Sequence, residues 1–239
     1  MTDIQRDREF MTNMDTNFLK LAAIICMLID HIGGVFFPEA QIFRCIGRAA
    51  FPIFCYCMTV GLVYTKDIKK YIIRLAAFAV ISQPFYILAF NPQNFWGNLT
   101  NWNIFFTLVI SLTAMYGFKE KKWWLFILAF FVISWWNFDY SGNGIVLMLI
   151  FYCCRRKPRL GIMLFVLVYL PSLMWGDPAD PYCLTIGQYA FDRQIFALLA
   201  APLIFIKTDF RPAISKWVFY LFYPAHLAVI AIIRIIMGI

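Results

Sequence analysis

Charge is what this 239-residue chain has least of: Asp, Glu, Lys and Arg make up 14% of it, against 62% hydrophobic residues. Soluble domains carry about a quarter charged and about half apolar residues, so an ordinary soluble domain is excluded. Histidine is almost absent, with only His31 and His226. The seven cysteines follow no framework spacing. Cys55 and Cys57 would point about 200° apart on a helix, and no histidine stands at ligand spacing, so neither a disulfide scaffold nor a metal site is expected. The cysteines read as small, polarisable packing groups. No small-residue cleavage site is obvious behind the acidic residues Asp3, Asp7, Glu9 and Asp15, so the first apolar run is expected to stay as a span and not to be removed as a signal. No convincing internal repeat is found.

What is abundant is apolar sequence in runs, each a candidate to cross about 30 Å of hydrocarbon as a helix of roughly 20 residues. Nine are read: 18 to 37, 42 to 64, 70 to 90, 102 to 118, 123 to 138, 142 to 154, 160 to 176, 187 to 206 and 215 to 236. The fifth and sixth are short and are read as tilted, half-buried or cavity-lining. The expected fold is therefore all-α, a polytopic integral membrane helical bundle of about nine transmembrane helices. Residues 1–17 are expected to form a polar cytoplasmic segment with little structure of its own, and 18–239 a single transmembrane domain.

Basic residues sort by loop. Arg6, Arg8 and Lys20 precede or open the first run; Lys66, Lys69, Lys70 and Arg74 follow the second; Lys119, Lys121 and Lys122 the fourth; Arg155, Arg156, Lys157 and Arg159 the sixth; Lys207, Arg211 and Lys216 the eighth. The alternate loops near 38 to 41, 91 to 101, 139 to 141 and 177 to 186 hold none. Cytoplasmic loops carry the excess of Lys and Arg, so the N-terminus is expected in the cytoplasm and the C-terminus outside. The net charge of +8 is then a matter of topology, and no nucleic-acid partner is expected.

Four arginines remain: Arg44, Arg48, Arg193 and Arg234. Ionisable groups at membrane depth mark functional sites by default. Arg44 and Arg48, spaced i, i+4, share a helix face. A short loop joins the first two runs, so Asp30 and His31 are expected at the same depth as this pair, with Asp30 bonded to an arginine. Neighbours on a helix diverge by about 100°, so Asp30 and His31 take different roles. A plain interhelical ion pair is the alternative for Asp30. Arg193 and Arg234 read as snorkelling residues near span ends.

His226 lies two residues after Pro224, whose missing N–H frees a backbone carbonyl; a mid-membrane cavity and a packed interhelical histidine are both open. Asp139 begins an outside turn through Ser141 and Gly142, with Asn143 close by, and is read at the mouth of a polar cavity. Gln83 with Pro84, and Asn91, Asn101 and Asn103, add neutral polar groups on the outer side. Trp96, Trp102, Trp123, Trp124, Trp135, Trp136 and Trp175 read as interfacial anchors.

The run from Leu19-Lys20-Leu21 to Asp30-His31-Ile32-Gly33, then Phe36-Phe37-Pro38, Arg44, Ile46-Gly47-Arg48-Ala49, Phe51-Pro52-Ile53-Phe54 and Gly61, resembles the opening of the TraX family, named for a conjugative-pilus gene product. Lys69-Lys70-Tyr71, Arg74-Leu75, Asn103 to Leu108, Asp139-Tyr140, Gly144 and Phe219 to Leu227 continue the likeness in order along nearly the whole chain. The resemblance implies N-acetylation of a pilin N-terminus in the founding member, and kinship with transmembrane acyltransferases that use cytoplasmic acetyl-CoA. At Gln83 to Phe90 the chain departs from the family's pattern, which often carries a Glu and an Asp there; this bears on the acceptor more than on the chemistry.

On that reading His31 is the general base, a role worth roughly 10² to 10⁴ in rate, or else carries the acetyl group covalently. Arg48 or Arg44 stabilises the oxyanion, Asp30 holds an arginine, and Asp139 orients the histidine or the amine. His226, Asn103, Lys69, Lys70 and Arg74 are the expected contacts to acetyl-CoA, the basic ones to its phosphates. The expected partners are acetyl-CoA, an acceptor at the outer membrane face and the lipid bilayer, with a homo-oligomer left open. The competing classes are a proton-coupled small-molecule transporter, and a scaffold for pilus or envelope assembly.

Overall fold

The computed structural model describes residues 10–136, 138–174, 176–177, 180, 183–186, 189–210 and 212–238. Of the residues read above, those before 10, with Trp175 and Arg211, lie outside the described residues. Helices and 3₁₀ turns account for 73% of the described residues. In order they are α1 (Thr16–Phe36), α2 (Gln41–Gly47), α3 (Ala50–Tyr64), α4 (Ile68–Phe90), α5 (Ile104–Lys119), α6 (Trp123–Trp135), α7 (Asn143–Cys153), α8 (Pro158–Tyr169), α9 (Ala200–Phe205) and α10 (Lys216–Met237). Short 3₁₀ turns cover Pro92–Asn94, Leu170–Leu173 and Arg193–Leu199.

Every apolar run holds a helix, yet the helices differ in reach. Among the described residues four stretches are long and apolar enough to cross a membrane: Thr16–Phe36, Gln41–Tyr64, Ile68–Phe90 and Lys216–Met237. The others are shorter apolar helices, because the apolar runs continue into the turns that end them. The 13 residues of α6 rise about 20 Å at 1.5 Å each.

The second run is broken into α2 and α3 at Arg48–Ala49. Pro52 offers no N–H to the Arg48 carbonyl, while the Arg48 and Ala49 amides close tight turns on Cys45 and Ile46. The eighth run is the local exception to an all-helical fold. It opens as an antiparallel hairpin, β1 (Cys183–Ile186) with β2 (Tyr189–Asp192), in which Cys183 faces Asp192 and Ile186 faces Tyr189. Asp192 then caps the 3₁₀ turn, its Oδ1 accepting from the Gln194 amide at 2.8 Å.

The outer surfaces are apolar. On α10, Leu221, Val229, Ile232 and Ile236 are all more than half exposed, while Tyr223, His226, Leu227 and Ile230 face inward. Soluble monomers rarely leave such patches open, and α10 is one of the helices long and apolar enough to cross a membrane.

The chain forms two compact units, one from residues up to 57 with 150–213, the other from 58–149 with 214–239. In the first, Tyr56, Phe151, Phe165 and Phe205 build an aromatic core, and α1 packs antiparallel on α2 through glycines. A β-carbon on Gly33 would overlap Phe43, and one on Gly47 would overlap the Asp30 carboxylate. Small residues of this kind let membrane helices approach closely.

Contrary to expectation, residues 10–15 are part of this unit and not a loose extension. Phe10 and Asn13 are fully buried. The Met11 amide donates to the Arg155 carbonyl, the Tyr56 hydroxyl donates to the Asn13 carbonyl at 2.6 Å, and the Asn13 amide donates to the Leu203 carbonyl at 2.8 Å. Asp15 caps α1 by accepting from the Phe18 amide. The polar side chains of Asn13 and Asp15, which look solvated in the sequence, are taken up in these bonds.

In the second unit α5 and α6 form an antiparallel pair that closes over Gly117, and α4 runs parallel to α10. Phe78 at the middle of α4 stacks on Tyr220 in the first turns of α10, and Arg234 donates to the Ala89 carbonyl at 2.7 Å near the ends of both helices. Arg234 is therefore a tie between two helix ends and not a snorkelling residue; a cation at the carbonyl end of a helix also meets its dipole favourably.

Candidate functional site

Asp30 lies fourteen residues into α1, about 21 Å from its start at 1.5 Å per residue, and is buried. Two guanidiniums take its carboxylate. Arg44 Nη1 donates to Oδ2 at 2.6 Å and to the Asp30 carbonyl at 3.1 Å. Arg48 Nη2 donates to Oδ1 at 2.8 Å, and its Nε donates to the Arg44 carbonyl at 3.2 Å. Arg48 thus closes the end of α2 while holding the aspartate. Charge-assisted bonds of this length are the strong class, and Gly47 gives the carboxylate the space to sit against α2.

A third guanidinium joins them. Arg193 opens the 3₁₀ turn after β2, is buried, and donates through Nη1 to Gln41 Oε1. Arg44, Arg48, Cys45 and Asp30 are within its electrostatic reach. The snorkelling expectation is thereby corrected, since the head group lies inside the unit. The hairpin turns the chain back so that Arg193 meets α2 across 152 positions. No periodicity announces that approach; the signal available was an arginine in an apolar run beside a helix-capping Asp.

His31 follows Asp30 on α1 and is half-buried. A step of about 100° turns its ring off the carboxylate's azimuth. The first unit therefore collects His31, Asp30, Arg44 and Arg48 on two adjoining helices.

Asp139, His226, Asn103, Lys69, Lys70 and Arg74 belong to the second unit. Asp139 is exposed, with Tyr86 donating its hydroxyl to Oδ2 at 3.4 Å and Thr107 donating to its carbonyl at 2.8 Å. The next two residues, Tyr140 and Ser141, hold left-handed φ angles of 61° and 43°, a conformation that costs non-glycine residues energy.

Asn103 is fully buried. Its Oδ1 caps α5 at the Phe105 amide at 3.0 Å, and its Nδ2 donates to the Ala79 carbonyl and to Gln83 Oε1, both at 2.8 Å. Gln83 in turn donates to the Asn101 carbonyl at 2.8 Å. The Asn103 amide is wholly used in capping a helix and tying its loop to α4. His226 is buried, with Nδ1 at 2.7 Å from the Phe222 carbonyl one turn earlier and its ring stacked on Phe222 at 4.8 Å. A carbonyl only accepts, so Nδ1 donates, and in the neutral ring Nε2 is the acceptor.

At the start of α4, Lys69 and Lys70 are exposed, and Lys70 bridges Asp67 at 3.3 Å. Arg74 is partly covered; its Nε is buried and has no hydrogen-bond partner among the described residues.

The description "TraX protein" belongs to a family model that matches residues 15–234. The chain belongs to the TraX family. It is 26% identical to the "Probable fimbrial assembly protein FimC" of Dichelobacter nodosus, over 89% of this chain and 92% of that protein. It is 22% identical to "Protein TraX" of Escherichia coli, over 92% of this chain and 87% of that one. No solved structure matches. The TraX match covers both units, and with it the arginine cluster and the second unit's polar residues alike.

Proposed function

We propose that this TraX-family chain is a membrane-embedded acyltransferase of the cytoplasmic membrane, moving acetyl from cytoplasmic acetyl-CoA to an amine in the outer half of the bilayer. The observation that carries the reading is His31 beside a buried carboxylate clamped by Arg44 and Arg48, toward the far end of a membrane-length helix. Support for the class comes from the family, which is associated with pilin acetylation; support for the sidedness comes from loop charge. A peptide or pilin N-terminus or an amino sugar is the acceptor class.

His31 is the general base. The amine nitrogen attacks the thioester carbonyl, a C–N bond forms as the C–S bond breaks, and the proton lost by nitrogen passes through the imidazole to the CoA sulfur. The guanidinium charge of Arg44 and Arg48 meets the oxyanion of the tetrahedral intermediate, in a setting where little water screens it. Asp30 fixes both arginines, so that the charge need not reorganise during the reaction. On the second unit, Lys69, Lys70 and the unpartnered Nε of Arg74 suit the phosphates of CoA, as guanidinium forks match phosphate oxygens. Asp139 is a carboxylate exposed enough to attract an ammonium group.

The test is purified full-length chain with labelled acetyl-CoA and candidate amines. Wild type should release CoA and label the amine, and His31→Ala should lower the rate by about 10² to 10⁴. CoA release by His31→Ala at the wild-type rate would overturn the mechanism. Substrate flux into liposomes without any CoA would favour the transporter class.

A further inference from the structure

The basic end of the second unit is built across two helices. α4 and α10 run parallel and Phe78 stacks on Tyr220 at 5.2 Å, so the residues one turn earlier on each, Arg74 and Lys216, stand level with one another. Lys70 lies a further turn back on the Arg74 face of α4. Lys70 is bridged to Asp67 at 3.3 Å, whereas Arg74 and Lys216 have no ion pair among the described residues. The Arg74 guanidinium lies within bonding reach of the Tyr220 hydroxyl, yet its Nε is buried and has no hydrogen-bond partner among the described residues. A buried donor on a charged group costs free energy until an acceptor reaches it. We propose that Arg74, with Lys70, Lys216 and Tyr220, forms a phosphate-binding site, and that its ligand is the diphosphate of the CoA donor.

The arrangement suits an ester with two phosphates. Lys70 and Arg74 are about 6 Å apart along α4, and Lys216 opens α10 at the level of Arg74. The Lys216 ammonium is held over the Trp217 ring, 5.9 Å from its centroid, at the positive end of the α10 dipole. Tyr220 is a positioning residue: Phe78 and Trp217 both pack against its ring, so the hydroxyl that Arg74 meets is held in place. A guanidinium fork matches phosphate oxygens as an ammonium does not. This is the end of the unit that loop charge assigns to the cytoplasm, where the donor is dissolved and where anionic lipid headgroups carry the same chemistry. As the donor's site the proposal rests on the acyltransferase reading; as a phosphate site it does not.

The full chain in detergent is titrated at constant ionic strength with CoA, dephospho-CoA and pantetheine, and separately with phosphatidylglycerol against phosphatidylcholine in mixed micelles. CoA and dephospho-CoA, which share the diphosphate, should raise Tm saturably, by about 5–10 °C at a hundredfold excess over Kd, and pantetheine should not. Arg74→Gln should weaken both about tenfold or more, and should raise KM for acetyl-CoA by the same factor with kcat near wild type. Arg74→Lys, which keeps the charge without the fork, should bind several-fold more weakly, and decides the matter should the glutamine variant not fold. Tyr220→Phe keeps the ring packing and should weaken binding several-fold at a ligand-free Tm close to wild type; a lowered Tm with wild-type Kd would make Tyr220 a packing residue only. No saturable shift with any probe, equal shifts with pantetheine and CoA, or wild-type Kd in both Arg74 variants would overturn the site. A response to CoA without one to dephospho-CoA would overturn the diphosphate assignment. A saturable shift with phosphatidylglycerol alone, lost in Arg74→Gln, would make this a headgroup site and remove the donor from it. CoA binding without acetyl transfer would remove the acyltransferase reading and leave the site standing.

Discussion

Asp30 in the first unit and Asn103 in the second are both polar residues buried among apolar helices, and they are accommodated in opposite ways. Asp30 is an ion, held by two arginines with a third nearby. Asn103 is neutral, and each of its amide hydrogens and its oxygen has a backbone or side-chain partner within its own unit. A saturated amide network fixes one loop conformation and has no capacity left for a ligand. A buried ion pair instead places charge beside His31, where a reaction can use it. The difference supports the first unit as the seat of the proposed chemistry and gives the Gln83–Asn103 network a structural task.

The comparison breaks first, and by the largest amount, at Asp30. Asp30→Ala should destabilise by about 3–5 kcal/mol, since it strands two guanidiniums without their shared partner. Replacing Asp30, Arg44 and Arg48 together with Leu and Met should recover most of that stability while abolishing transfer. Unfolding monitored by circular dichroism in mixed micelles measures both; a benign single variant would show that the cluster is not the charged centre described.

Asn103→Ala should cost about 1–3 kcal/mol, from the lost cap and the buried Gln83 oxygen left with fewer donors. Its transfer rate per folded molecule should match wild type. A selective rise in KM for acetyl-CoA would instead return Asn103 to the donor site.

The smallest effect is expected at Asp67, which caps α4 from an exposed position. The Lys70 backbone amide, helped by the Lys70 side chain, holds its carboxyl below the ordinary carboxylate value. The stabilisation is therefore present above the unfolded value, near pH 3.9, and is lost as pH falls through the lower folded value. Asp67→Asn keeps the cap and removes the titration. Its small Tm deficit at pH 7 should vanish under strongly acidic conditions, and a deficit independent of pH would rule out this origin.

The approach of Asp30 to Arg44 and Arg48 is legible in the residues, because i, i+4 spacing and a short connection leave few other geometries. Nine apolar runs each hold a helix for an equally local reason. Helix length is less legible. Apolarity continues through Trp136 and Leu170 although the hydrogen-bonded helices end beside them, and Pro52 divides a run whose hydropathy is unbroken. Residues 10–15 look solvated in composition, yet their polar groups are bonded to Tyr56, Arg155, Leu203 and Ile204, residues far away in the chain.

The chain's membrane class and the pairing in the α1–α2 hairpin follow from the sequence itself, because hydrophobicity, loop charge and helical spacing act between near neighbours. Only the tertiary structure decided that Arg193 joins the pair, that Asn103 is a cap and not an available amide, and that Arg234 ties α10 to α4. Each depends on which distant backbone carbonyl or side chain comes within about 3 Å, and a hydrogen bond of that length is set by the packing of whole helices and turns.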